Sequence, residues 1–402
     1  MREFKGLEGF SKDTFWQMLE DRKNKIDEAS GESLPQSYAV NELAKRLHPT
    51  RHYMKIAKVT ELLPDTKLYR FVPDPARGTT ECAYFKAGKY IDIHLTVNDM
   101  HVSRAYSIAS SPKEALEGFY EIAIKAAEGG LVSNYVLENW KEGDEVVLSE
   151  PSGFFDYQSI RDAHTVIALA GGSGITPFLS MAKAVADGTE DFNLVLLYGS
   201  KTEEEILFRD EFDALEKACD KIKVVHVLSN EEKDGFEHGF ITSDLVKKYA
   251  PADEPYSVFV CGPQAMYDFL DVELEKLELP RKFVRKELYG EVHNAASMKD
   301  YPGTDLSTVK ITISVQDETK TVTGDANDTV MQTLEKHGIT MPASCRSGEC
   351  GFCHSKLVSG EIFVPARVDG RRMGDKKFGF FHPCVAFPLS DLVIEVPVEK
   401  IK

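Results

Sequence analysis

The 402-residue sequence has no uninterrupted apolar run of the roughly 18 residues that a membrane-spanning helix needs. It also lacks an excess of basic charge. Its 48 Lys and Arg stand against 65 Asp and Glu, and a net charge of −17 excludes a nucleic-acid phosphate backbone as partner. No apolar stretch follows Met1-Arg2-Glu3-Phe4-Lys5, so no secretory signal is expected and the protein is expected in the cytoplasm. Internal repeats, low-complexity tracts and Ser/His/Asp or metalloprotease patterns are missing too. Cysteine is scarce, with seven in all, and unevenly spread. Cys82, Cys219 and Cys261 are scattered, while Cys345, Cys350, Cys353 and Cys384 crowd together. In a cytosolic protein such a crowd points to metal or redox chemistry rather than a disulfide framework.

What is present divides into four rhythms. Residues 1–50 look helical, with Phe15, Leu19 and Ile26 at helical spacing and Pro35 placed to open a second helix carrying Leu43 and Leu47. This extension carries no nameable chemistry and is read as a packing or partner-docking element. Residues 51–157 show short alternating runs separated by Gly and Pro, such as Lys55–Val59, Tyr90–Leu95 and Gly118–Lys125, and predict an antiparallel β-barrel. Across 160–291 buried strands (Thr165–Ala170, Leu194–Tyr198, Val258–Cys261) alternate with helical stretches, which predicts an α/β domain with a parallel sheet. Residues 292–306 read as a linker, and 307–402 as a strand-rich α+β domain.

Three motifs carry chemistry. Cys345, Cys350 and Cys353 form C-x4-C-x2-C, with Cys384 thirty residues later, the spacing of plant-type 2Fe–2S ferredoxins. Two irons need four thiolates, and one tight loop can supply three. Gly348 and Gly351 would let backbone N–H groups approach the sulfurs. A C-x2-C pair alone would leave structural zinc open, but the four-and-two spacing with a remote fourth cysteine argues against it. The second motif is Arg104-Ala105-Tyr106-Ser107 at a strand end. Here an Arg can grip a phosphate, an aromatic can lie on a ring system and a hydroxyl can bond a ring nitrogen. Downstream, Gly129-Gly130-Leu131-Val132-Ser133 precedes a helical stretch over Asn134–Trp140, with Ser133 as its expected N-cap, a setting that suits a pyrophosphate. The third is a Gly-rich strand-to-helix turn, Gly171-Gly172-Ser173-Gly174-Ile175-Thr176-Pro177, paired with Cys261-Gly262-Pro263-Gln264-Ala265-Met266 at another strand end.

Residues 51–402 resemble the ferredoxin–NADP reductase superfamily, with a fused C-terminal ferredoxin module whose fold is the β-grasp. The resemblance assigns Arg104 to the flavin phosphate, Tyr106 to the isoalloxazine face and Ser107 to its reactive edge. Gly130, Val132 and Ser133 would meet the FAD pyrophosphate. Gly172, Gly174, Thr176, Cys261, Gly262, Pro263 and Met266 would flank the nicotinamide. Thr176 and Cys261 lie near hydride transfer in that reading, and Tyr289 is the aromatic expected near the flavin. FAD is preferred to FMN because of the Gly-Gly-x-x-Ser element. Ser200 and Lys201 could hold a 2′-phosphate, whereas Glu203, Glu204 and Glu205 would repel one, so both NADH and NADPH stay open with NADH favoured. His354 and His382 are read as neighbours of the cluster rather than ligands.

The resemblance implies an electron-transfer enzyme running from NAD(P)H through flavin to the cluster and on to a protein acceptor. A flavin accepts electrons in pairs and passes them singly, so it belongs between a hydride donor and a one-electron cluster. The acceptor would be an oxygenase, a hybrid-cluster or other metalloprotein, or a flavodoxin-like carrier. A redox-sensing subunit, or the same enzyme run in reverse to reduce NAD(P)+, are the alternatives. Residues 307–402 hold 12 basic and 12 acidic side chains, so the net acidity lies upstream. Arg367, Arg371, Arg372, Lys376 and Lys377 form a basic stretch before Cys384, read either as a solvated loop or as a dock for an acidic acceptor.

Overall fold

The computed structural model describes residues 12–29, 31, 37–97, 100–288, 294–298, 300–315 and 318–396. The chain forms two compact units, Met1–Lys45 and Arg46–Lys402. In the first, α1 spans Lys12–Asp27 and α2 starts at Ala39 and runs to Leu47. No Gly or Pro interrupts Lys12–Asp27, and Phe15 meets Trp16 edge-on at 5.8 Å. The proposed helix start at Pro35 lies outside the described residues.

The second unit begins with an antiparallel sheet of β1 (His52–Leu63), β2 (Thr66–Pro73), β3 (Tyr90–Val97), β4 (Met100–Ser107), β5 (Tyr120–Lys125) and β6 (Glu145–Leu148). The strand order is β4-β3-β6-β1-β2-β5. Its two edges meet where Ile108 bridges Ile122 and the Ala109 N–H donates to the Glu121 carbonyl at 2.7 Å, which closes the barrel. β5 starts at Tyr120 rather than Gly118, because Gly118 turns the chain with φ 101°. Two helices interrupt the barrel: α3 (Pro112–Leu116), held by a Ser111/Glu114 capping box, and α4 (Leu131–Asn139).

A six-stranded parallel sheet follows, from β7 (Thr165–Gly171), β8 (Asn193–Ser200), β9 (Ile222–Leu228), β10 (Glu237–His238), β11 (Tyr256–Cys261) and β12 (Val284–Lys286). Its helices are α5 (Thr176–Ala186), α6 (Arg209–Ala218), α7 (Ser243–Tyr249) and α8 (Gln264–Glu275). The order is β10-β9-β8-β7-β11-β12, so the chain reverses direction across the sheet at β7. Every residue of β7 is buried, as expected for a strand covered on both faces. The Gly-rich turn leaves the carboxyl end of β7, the switch point where ligands of open α/β sheets bind.

The last sheet is mixed: β13 (Thr308–Val315), β14 (Glu318–Asp325), β15 (Ser355–Ser359), β17 (Phe380–Phe381) and β19 (Leu392–Glu395), with β13 and β19 parallel. α9 (Val330–Lys336) packs under it behind a Thr329/Gln332 capping box. A short ribbon joins β16 (Ile362–Phe363) to β18 (Phe387–Pro388), and α10 spans Met373–Phe378. Part of the segment read as linker packs on this module. Ala295 is fully buried in its core, and Tyr301 meets Phe363 edge-on at 5.2 Å.

Candidate functional site

A cleft of about 1250 Å³ opens beside β4 and is walled by all three modules of the second unit. The barrel contributes Arg104, Tyr106, Ser107, Gly130, Val132 and Ser133; the parallel-sheet module Thr176, Pro263 and Glu287; the last module Cys345, Glu349 and Cys350. Gly130 itself is the N-cap of α4, and Ser133 is the third helical residue. This corrects the expectation of a Ser133 N-cap. A Cβ on Gly130 would stand 2.5 Å from the Ser133 Oγ, so the hydroxyl lies over the backbone of the helix start. The α4 amino end still faces the cleft, and its unpaired N–H groups favour an anion.

The other predicted nicotinamide residues knit two turns together instead of lining the cleft. Cys261 of β11 pairs alongside Ala170 of β7. A Cβ on Gly174 would meet the Cys261 carbonyl oxygen at 2.3 Å, and the Met266 sulfur would meet a Cβ on Gly171 at 2.6 Å or on Gly262 at 2.4 Å. Gly172 takes φ 52° in the turn. Thr176 closes it, its hydroxyl donating to the Ser173 carbonyl at 2.8 Å. Ser200 ends β8 two strand-ends away from β11, its Oγ buried and without a hydrogen-bond partner.

A residue that the motif reading passed over stands between these elements. Glu287 follows β12, whose Lys286 lies beside Val260 of β11. Its carboxylate oxygen Oε2 accepts from the Ser107 hydroxyl at 3.1 Å and lies 3.8 Å from the Cys261 thiol. Burial pushes the Glu287 carboxyl up to about 8, and it pushes the Cys261 thiol well above its usual range. Sequence spacing carries no signal for Glu287 beyond its place two residues before Tyr289. Tyr289 itself lies outside the described residues.

The four cysteines form two pairs. Cys353 and Cys384 hold their sulfurs 3.4 Å apart. The Cys345 sulfur accepts from the Cys350 N–H at 3.3 Å and the Ser347 N–H at 3.5 Å. The Cys350 side chain, Ser347 and these N–H groups pull the Cys345 thiol down, while Cys350 is pushed up by the same contact, so the pair favours one thiolate at Cys345. Gly348 and Gly351 adopt left-handed backbone, at φ 83° and 74°; the Gly348 N–H supports the Cys384 sulfur, and the Ser347 and Cys350 N–H groups support that of Cys345. Buried His382 holds the Gly348 carbonyl through Nδ1 at 2.7 Å, and His354 stacks on Phe380.

Known protein families match the three modules in this order: an oxidoreductase FAD-binding domain over residues 53–157, an oxidoreductase NAD-binding domain over 168–271 and a 2Fe-2S iron-sulfur cluster binding domain over 313–389. NADH-cytochrome b5 reductase 1 of Candida glabrata is 34% identical over 200 residues, which cover 48% of this chain and 69% of that protein. The chain belongs to the ferredoxin–NADP reductase superfamily. The reductase is also similar to one of the subunits of 1,2-phenylacetyl-CoA epoxidase from Escherichia coli, 26% identical over 356 residues that cover 86% of this chain and 98% of the other. Its fold matches phthalate dioxygenase reductase with a TM-score of 0.63 at 24% identity, covering 87% of this chain and 98% of that one.

The donor sets suit the cofactors of these domains. Arg104 and the α4 amino end offer cation and N–H donors to phosphates on one side of the reductase cleft. Two thiol pairs suit two irons better than one tetrahedral ion, and among the described residues no three His, Cys, Asp or Glu side chains converge on a single metal position.

The pH behaviour of Glu287 provides a test. The folded chain keeps this carboxyl protonated from its ordinary value of 4.5 up to about 8, a range in which the unfolded chain has lost the proton. Unfolding therefore gains in favour as pH rises through that window and levels off above it. In E287Q the denaturant midpoint should fall less between pH 4.5 and 8 than in the wild type. Equal falls would show that Glu287 is already ionised in the folded reductase.

Proposed function

We propose that this reductase takes a hydride from NADH onto a flavin bound beside β4 and delivers the electrons singly, through a cluster held by Cys345, Cys350, Cys353 and Cys384, to an oxygenase component. The convergence of all three modules on one cleft supports this reading most directly. The flavin, when bound, supplies the exchange between paired and single electrons. The chain's own residues bind and orient. Arg104, Gly130 and the α4 amino end hold phosphates, with Ser133 in the first helical turn. Tyr106 lies against the ring system. Thr176 borders the nicotinamide, while Gly172, Gly174, Cys261, Gly262, Pro263 and Met266 shape the turns that seat it. Glu287 holds a proton near neutrality in the cleft wall, oriented by the Ser107 hydroxyl that donates to it, so a proton can follow the charge that arrives there.

Glu203 supports NADH over NADPH. It pairs with both Arg209 and Lys233 just beyond the carboxyl end of β8, where the second strand of a dinucleotide fold meets the ribose. Two cations that would otherwise attract a 2′-phosphate are thereby engaged, and half of their charge is offset. E203Q should raise the ratio of kcat/KM for NADPH to that for NADH by about tenfold, by freeing both. An unchanged ratio in steady-state assays would remove Glu203 from cofactor choice.

The acceptor reading rests on the epoxidase component aligned along nearly its whole length and on the face beside the cluster loop. Phe352, Met373 and Phe378 are exposed there, on the loop and on α10, which Asp375 ties to His354 at 3.0 Å. The basic stretch is partly neutralised. Arg371 and Lys376 bind Asp369, and Arg367 reaches Asp268 at 2.9 Å. Arg372 and Lys377 remain exposed beside the apolar residues and suit an acceptor with an acidic rim. With an acidic cytochrome as probe, the R372E/K377E reductase should show a kcat/KM lowered about tenfold at low salt, and raised instead for a basic cytochrome. Reduction of a small dye should not change. Equal effects on both cytochromes would show that the face is not the dock. Among the described residues no helix is long and apolar enough to cross a membrane.

A further inference from the structure

The cluster loop rests on the barrel through a polar seam. The Tyr90 hydroxyl of β3 lies 3.1 Å from the Ser344 Oγ, and the Ser103 hydroxyl of β4 donates to the Ala343 carbonyl at 3.3 Å. The next loop residues are Cys345 and Arg346. Arg346 is almost fully buried and takes φ 55°, a left-handed conformation that a long side chain occupies only under outside constraint. The constraint is Glu335 on α9. Its carboxylate accepts from both terminal nitrogens of Arg346, one of them at 3.0 Å. The same carboxylate lies 4.0 Å from Nη1 of Arg104, which stands at the flavin side of the cleft.

Glu335 thus lies between a strained arginine beside the first cluster cysteine and the arginine of the flavin strand. It is itself only slightly exposed, and a buried carboxylate flanked by two guanidinium groups is held far more firmly than a surface pair. Without its charge, Arg346 would be left buried without its bidentate partner in a backbone conformation it does not favour. The loop from Ala343 to Arg346 would then relax, and the seam with β3 and β4 would loosen.

We propose that Glu335 is a positioning residue for internal electron transfer: it seats the cluster loop against the flavin strand by clamping Arg346 while facing Arg104. The inference rests on the reading of the cleft as the flavin site. The NADH hydride brings two electrons and leaves NAD+. That hydride would pass to a flavin bound in the cleft, and its two electrons would cross the seam one at a time, with the proton released to the cleft; each electron would reduce one ferric iron of a cluster held by the four cysteines and leave to the acceptor.

The test uses the full-length holoenzyme and E335Q, which keeps the shape and removes the charge. Anaerobic stopped-flow mixing with NADH separates bleaching of the flavin band from bleaching of the cluster band. In E335Q the flavin should be reduced at the wild-type rate, while cluster reduction slows about tenfold or more, since a displacement of about 1 Å can carry such a cost. Hydrogen exchange supplies a readout independent of turnover. Amides of residues 343–347 should exchange faster in E335Q, with those of β7 and β8 unchanged. The oxidised cluster spectrum should remain that of the wild type, and E335D should recover part of the lost rate. Cluster reduction at the wild-type rate, or unchanged exchange at 343–347, would overturn the proposal. So would loss of the cluster in both E335Q and E335D, which would make Glu335 a folding residue. A wild-type protein whose flavin band does not bleach with NADH would instead overturn the underlying reading of the cleft.

Discussion

Strand β4 has to serve three modules at once, and the arrangement of the site follows from that. Its eight residues form one edge of the barrel sheet, with β3 as the only ladder partner in the sheet order. An exposed strand edge is a liability that proteins cover or charge. Here the end of the strand leads into the Ile108–Ile122 bridge that closes the barrel, and α9 of the last module packs against the strand. From this strand Ser107 reaches Glu287 at the end of the parallel-sheet module, and Ser103 reaches the backbone ahead of the cluster cysteines. Arg104 and Tyr106 line the space between. The strand cannot shift register by one residue without exchanging these assignments, because neighbouring side chains point to opposite faces.

The acids around this strand share one electrostatic condition. Glu287 is pushed up to about 8, and Glu349 and Asp92 to about 7, each chiefly by burial. Asp92 lies on β3 near Ser344, and Glu349 precedes Cys350. A low-dielectric cleft that receives electrons gains negative charge. Ionised carboxylates in its walls would oppose that gain, whereas neutral ones do not. The cysteine sulfur is treated in the opposite way. Backbone N–H donors and the neighbouring thiol favour charge on Cys345. Burial outweighs the single hydroxyl that reaches Glu287, whereas two backbone N–H groups and a thiol outweigh burial at Cys345.

The sequence made the local part of this picture legible. The run Lys55–Val59 falls within β1, whose first residues alternate buried and half-buried, and Thr165–Ala170 falls in the fully buried β7, because period-2 and continuous apolar patterns report one-sided and two-sided burial; Tyr90–Leu95 also forms a barrel strand, but its first four residues are all buried. The Arg104-to-Ser107 motif and the crowded cysteines could be found because each lies on one short element. Glu287, Glu335 and the Tyr90–Ser344 contact could not, since each joins residues far apart in the chain and no periodicity links them. The start of α4 was misplaced for a related reason. A Ser is the stronger cap by preference, but here Gly130 provides the close approach and Ser133 folds back over it. The basic stretch before Cys384 was legible as composition only. Which of its charges are free depends on Asp369 and Asp268, and Asp268 belongs to another module.

The two nicotinamide-side motifs also have a physical reason to occur together that precedes any ligand. Adjacent parallel strands β7 and β11 end side by side, so the turns that leave them must share one small space. Gly174 lies so near the Cys261 carbonyl that any side chain there would collide with backbone, which cannot move aside as a flexible side chain can. Met266 occupies the room left over Gly171 and Gly262, and its unbranched, adaptable side chain suits an irregular gap between two turns. Changing any one of these residues alone therefore disturbs both turns. The opening they leave toward Thr176 and Pro263 in the cleft depends on that packing, which makes the binding surface for the dinucleotide a product of strand adjacency as much as of the residues that line it.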